Sequence, residues 1–80
     1  MDANTVQNLV NGTIDNAQVL VDGAGANYDI TVVSDLFDGM RAVGRQQAVY
    51  AALSDAIAAG SIHAVTIHAF TQAEWEANGA

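Results

Sequence analysis

Few side chains in this chain could do chemistry, and the two histidines of Ser61-Ile62-His63-Ala64-Val65-Thr66-Ile67-His68-Ala69-Phe70 are among them. An imidazole can ligate a metal through a ring nitrogen or carry a proton near neutral pH. There is no cysteine, so a disulfide framework and a thiolate metal site are both ruled out. The segment around the histidines reads as a buried strand, with His63 a partly buried imidazole at its mouth. Side chains alternate between the faces of a strand, so His63 shares a face with Val65 and Ile67, whereas His68 lies with Ala64 and Thr66. The two histidines therefore cannot chelate one ion within a protomer, and His68 reads as a solvated strand residue. Asp35 and Asp38 look like a turn and cap pair rather than an acid/base dyad, because no buried surroundings separate their proton affinities. With no nucleophile–base pair and little room for a pocket, the chain does not read as an enzyme.

The remaining charges restrict the partners. Nine carboxylates face two arginines, Arg41 and Arg45, and no lysine, for a formal net charge of −7. Nucleic-acid affinity comes largely from neutralising phosphates, and two arginines cannot form a basic stripe, so nucleic acid is not expected. An anionic membrane surface would repel the chain in the same way. A basic partner or a saline cytoplasm is compatible with the charge, and so is plain solubility. Arg41 and Arg45 are spaced i, i+4. They read either as surface solubility or as a small cationic spot for a partner's carboxylate or for glutathione.

The elements that position these residues follow from periodicity. The length of 80 residues fits one domain, read here as spanning 1–80. No apolar run approaches the ~20 residues that cross a bilayer, and the N-terminus lacks a signal-peptide pattern, so a soluble cytoplasmic protein is expected. Val6, Leu9 and Val10 mark a short helix, with Asp2 or Asn4 able to cap its start and Asn11-Gly12 to stop it. Val19 and Val21, then Tyr28, Ile30 and Val32, alternate in a hairpin across the turn-rich Asp22-Gly23-Ala24-Gly25-Ala26-Asn27. Ser34 to Met40 forms a compact turn. Val49, Ala52, Leu53, Ala56 and Ile57 make one apolar stripe on a long helix, whose start is weakened by Gly44 and whose end is Gly60. Tyr50 and Leu53 read as core packing rather than a partner groove. After the His63 strand, Thr71-Gln72-Ala73-Glu74 fits a capping box on a last helix anchored by Trp75. The order α-β-β-α-β-α, with a crossover helix between the second and third strands, predicts an α+β domain with a three-stranded mixed sheet.

Filled with these residues, that order resembles the BolA family. The matching blocks are Leu36-Phe37-Asp38-Gly39-Met40, Arg45-Gln46-Gln47-Ala48-Val49-Tyr50-Ala51-Ala52-Leu53, Ile62-His63-Ala64-Val65-Thr66-Ile67 and Thr71-Gln72-Ala73-Glu74-Trp75. With the hairpin they cover nearly the whole chain, and the Phe-Asp-Gly-Met and Gln-Gln pairings look closest to the family's bacterial acid-stress branch. The resemblance implies a class II KH-like fold. It also implies binding to a monothiol glutaredoxin, with a [2Fe–2S] cluster shared between that partner, its glutathione and His63, in iron–sulfur trafficking or stress and redox sensing. Some bacterial members are DNA-binding regulators of stress and morphology genes, which is the alternative reading. The family's second ligand, a Cys or His of the hairpin loop, has no counterpart here, because Ala24 to Asn27 contains neither. Gly39 and Gly44 also lack the Gly-x-x-Gly spacing of a nucleic-acid-binding KH loop. One imidazole cannot complete an iron site, so the thiolates must come from the partner. Homodimerisation is left open.

Overall fold

The computed structural model describes residues 2–78. Their order is α1 (Ala3–Thr13), β1 (Gln18–Ala24), β2 (Asn27–Val33), a 3₁₀ turn (Asp35–Phe37), α2 (Ala42–Ala58), β3 (Ala64–Phe70) and α3 (Gln72–Ala77). The strands form one sheet in the order β1-β2-β3, with β1 antiparallel and β3 parallel to β2. The α+β class, the element order and the mixed sheet are those expected from the sequence.

The register sorts side chains into rows across the sheet. Val19–Val32–Ala69, Val21–Ile30–Ile67 and Gly23–Tyr28–Val65 lie on the face that packs against the helices. Leu20–Thr31–His68 and Asp22–Asp29–Thr66 lie on the other face. Val6 and Val10 of α1 and Val49, Leu53 and Ala56 of α2 close the core over the first set. Burying a valine or leucine side chain contributes about 1.5–3 kcal/mol, so the helical layer is fixed mainly by these few contacts.

Three local expectations change. Asn11-Gly12 does not stop α1, because Gly12 does not take the left-handed conformation that would end a helix there; Ile14 leaves the helix in an extended conformation and is buried in the core. The hairpin is tighter than the turn-rich stretch suggested, since both strands run on until only Gly25 and Ala26 separate them. Gly23 makes this fit: its φ of +124° is rare for other residues, and a Cβ there would run into the carbonyl oxygen of Asn27. Finally, α2 begins directly after Arg41 despite Gly44, so both arginines lie at its first turn.

Candidate functional site

His63 lies one residue before β3, and it is exposed rather than partly buried. The helix-facing rows end at Gly23–Tyr28–Val65, so no further row covers the next residue of that parity. Its backbone is nonetheless fixed. The amides of His63 and Ala64 both donate to the carbonyl of Ala26, at 2.7 and 3.1 Å. The start of β3 is thereby tied to the tip of the hairpin, whose shape is held in turn by Tyr28 Oη donating to the Gly25 carbonyl at 2.8 Å. The structure thus brings His63 beside the very loop where a second ligand was sought. The loop itself, Gly25-Ala26, offers only backbone. Among the described residues no group of three or more His, Cys, Asp or Glu could hold a metal ion. What remains is one imidazole on a fixed backbone at an open end of the sheet.

His68 stands in the row Leu20–Thr31–His68, on the sheet face away from the helices. It is not merely solvated, because its Nε2 lies 3.2 Å from Asp29 Oδ1. Asp29 also sits directly across from Asp22, and with Asn27, Ala64 and Thr66 the two carboxylates line a surface depression of about 310 Å³. Like charges facing each other in this way cost stability.

The two arginines do not form one cationic spot. Arg45 is largely enclosed: its Nε donates to the Met40 carbonyl at 3.0 Å, Nη1 donates to the Ala69 carbonyl at 3.3 Å and to Glu74 Oε1, and Nη2 donates to Glu74 Oε2 at 3.3 Å. The guanidinium also lies 6.0 Å from the centroid of the buried Phe37 ring. This cation holds the Glu74 carboxyl at about 2, well below the usual carboxylate range, helped by the Thr71 amide. Glu74 thereby completes the expected capping box with Thr71 and ties α3 to α2 at once. Nothing in the sequence pairs Arg45 with Glu74, since the contact is long-range.

Arg41, by contrast, is exposed at the N-cap of α2 and makes no ion pair among the described residues. It and Arg45 adjoin the ends of β2 and β3, whereas His63 precedes the start of β3. A seven-residue strand spans about 23 Å, so the arginines and His63 belong to different ends of the molecule. Leu53 is core as expected, but Tyr50 is exposed on α2. Asp35 does act as a cap, its carboxylate accepting from the Gln72 amide at the start of α3 at 3.1 Å. Trp75 packs on Phe70, ring centroids 5.6 Å apart.

Comparison with known proteins places this architecture. The family model of the BolA-like proteins matches residues 6–74. The acid stress protein IbaG of Escherichia coli K12 is 41% identical over 75 residues, covering 94% of this chain and 89% of that protein. The DNA-binding transcriptional regulator BolA of Vibrio cholerae is 41% identical over 54 residues, covering 68% of this chain and 50% of that protein. A BolA homologue from Coxiella burnetii superposes with a TM-score of 0.86 at 23% identity, covering 95% of this chain and 97% of that one. The sequence blocks, the mixed sheet and the family match agree, and the chain belongs to the BolA-like protein family.

Proposed function

We propose that this protein is a non-enzymatic cytoplasmic partner of a monothiol glutaredoxin and contributes His63 as one ligand to a bridging [2Fe–2S] cluster. The observation that carries this reading is the placement of His63. Its side chain is exposed and makes no hydrogen bond or ion pair among the described residues, while its backbone is pinned to Ala26. An imidazole engaged in packing would be buried or bonded; this one is held ready for an outside group. The residues present fit a share of a cluster and not a whole one, because the adjoining loop supplies no donor side chain and the chain has no thiolate. His63 would hold one iron through a ring nitrogen, and the other ligands would come from the glutaredoxin and its glutathione. When bound, such a cluster supplies one-electron redox chemistry or transferable iron and sulfide. The part of this chain is to present the imidazole and the hairpin end against which a partner can seat.

The test is to mix the chain with cluster-loaded glutaredoxin and record visible circular dichroism for wild type and His63→Ala. A spectrum that changes on adding wild type, but not on adding the variant, is expected. Identical spectra rule out the ligand role.

A second reading, regulation through DNA, is favoured by the name of the Vibrio cholerae relative. The charge opposes it. At −7, with Arg45 neutralised by Glu74, Arg41 is the arginine left without an ion pair among the described residues to meet phosphate. Tight, salt-sensitive gel-shift binding would reverse this ranking.

A further inference from the structure

The sheet has two faces, and α1 and α2 pack on one of them. The alternate rows, among them Leu20–Thr31–His68 and Asp22–Asp29–Thr66, form the outer face. One end of that face is closed by α3, where Trp75 packs on Phe70 and Val33 is buried. Towards the hairpin it is open: Leu20 is 44% exposed, and Asp22, Asp29, Thr66 and His68 all reach solvent. The solvated side of a sheet is ordinarily polar throughout. A leucine beside two carboxylates is not explained by packing within this domain.

Charge and apolar surface share this face. Leu20 and Asp22 are two residues apart on β1, so their side chains stand on the same side, about 7 Å from each other. Asp22 lies directly across from Asp29, an arrangement of like charges that costs stability. Asp29 is in contact with His68 Nε2 at 3.2 Å, whereas Asp22 makes no ion pair among the described residues. Both carboxylates border the depression of about 310 Å³ that Thr66 also lines. The chain's own cations are elsewhere, because both arginines belong to the start of α2 and Arg45 is tied to Glu74. A cation brought between Asp22 and Asp29 removes their repulsion, so it gains more here than beside an isolated carboxylate. A bare metal ion fits poorly. No group of three or more His, Cys, Asp or Glu among the described residues could hold one, and it would leave Leu20 in water.

The face of a sheet presents side chains, whereas an extended segment pairs through backbone at a sheet edge. The occupant that fits is therefore a helix carrying lysine or arginine beside an apolar stripe. We propose that the outer face of the sheet docks a basic amphipathic helix of another protein, with its cations at Asp22 and Asp29 and its apolar stripe over Leu20. The net charge of −7 steers such a partner towards the molecule. A second copy of this chain is not that occupant. Its three helices hold one basic residue, Arg45, which is already tied to Glu74.

The experiment uses the full chain with ¹³C-labelled methyl groups, without glutaredoxin or any cluster. It is titrated with a synthetic amphipathic helix bearing Lys on one face and Leu on the other. Successive residues of a strand face opposite ways, so the methyl groups report the docked face directly. Those of Leu20, Thr31 and Thr66 are expected to shift in a saturable manner, while those of Val21, Ile30 and Ile67 stay in place. Binding should weaken about tenfold in the double variant Asp22→Asn/Asp29→Asn and about threefold in Leu20→Thr. Threonine keeps a strand-forming residue at position 20, and unchanged methyls of Val21 and Ile30 establish that the variants fold. Asp55→Asn removes an exposed carboxylate from α2 and should bind as wild type does. An equal loss in Asp55→Asn would reduce the effect to overall charge and overturn the proposal. So would equal binding of a peptide with Glu in place of Lys, shifts centred on another face, or the same shifts on concentrating the free chain. Displacement of the peptide by millimolar Mg²⁺ beyond that by NaCl of equal ionic strength would make this a cation site and overturn it too. With no cluster present, failure here leaves the His63 reading untouched, and failure of the cluster spectra leaves this inference standing.

Discussion

Where β2 and β3 finish, one guanidinium reaches the Met40 loop, the last turn of β3 and α3, lies near Phe37, and meets a carboxylate that also caps α3. Where β3 begins and the hairpin turns, two amides share the carbonyl of Ala26 and the neighbouring imidazole is left to solvent. The first end is cross-tied by side chains whose hydrogen-bonding capacity is used internally. The second is held by backbone amides and the Tyr28 hydroxyl, and the His63 side chain remains exposed. A chain of this length has little stability to spare. Concentrating the side-chain ties at one end leaves the His63 imidazole exposed at the other.

The contrast is open to direct attack. Arg45→Ala should have the largest effect, because it leaves Glu74 with only its Thr71 amide donor, takes the Arg45 donors from two carbonyls and loosens α3; a loss of about 2–4 kcal/mol in urea unfolding is expected. A loss under about 0.5 kcal/mol would mean that the cross-tied end contributes no more than an ordinary surface contact. Gly23→Ala should follow, at about 1–3 kcal/mol, since alanine must adopt a positive φ and displace the Asn27 carbonyl. It also ought to disturb the amide resonances of Ala26 and His63, linking hairpin shape to ligand placement.

Glu74 gives the contrast a pH dependence. Its folded-state pKa is about 2 against an ordinary value of 4.5, held there first by the Arg45 side chain and then by the Thr71 amide. A depressed value means that the carboxylate's stabilisation is complete above about pH 4.5 and is lost as the pH falls through about 2. Carboxyl NMR titration should find Glu74 in this low range in wild type and nearer the ordinary value in Arg45→Ala. An ordinary value in wild type would contradict the ion pair.

The smallest effects belong to the open end and the outer sheet face. His63→Ala should leave stability within about 0.5 kcal/mol of wild type. Asp29→Asn should do the same, because the exposed contact to His68 that it weakens is offset by relief of Asp22 across the strand pair. A large loss in His63→Ala would give that residue a structural role and remove the distinction between the two ends.

The division also explains what could be read from the sequence. Periodicity specified the strands, the long helix and its stripe of Val49, Leu53 and Ala56, because burial on one face is a local property of spacing. Parity correctly put His68 on the sheet face away from the helices. The capping box was legible for the same reason, being a contact across three residues. Contacts across the fold were not legible. The Arg45–Glu74 pair joins residues 29 apart in the chain, so Arg45 looked as free as Arg41. His63 was read as partly buried because its parity matched the core, but parity cannot tell where the last row of a sheet ends. Tyr50 followed the same error in reverse: it neighbours the core stripe in sequence and stands outside it in space.

The central claim is that His63, at the end with fewer side-chain ties, is the one ligand this chain gives to a shared cluster. Its most direct test is pulsed electron paramagnetic resonance of the reduced [2Fe–2S] complex between the glutaredoxin and this protein, with histidine nitrogen labelled only in this chain. A strong imidazole nitrogen coupling in wild type that vanishes in His63→Ala, with α3 still docked, is the predicted result. A coupling that survives the substitution, or is absent from a wild-type complex that nonetheless forms, would contradict it.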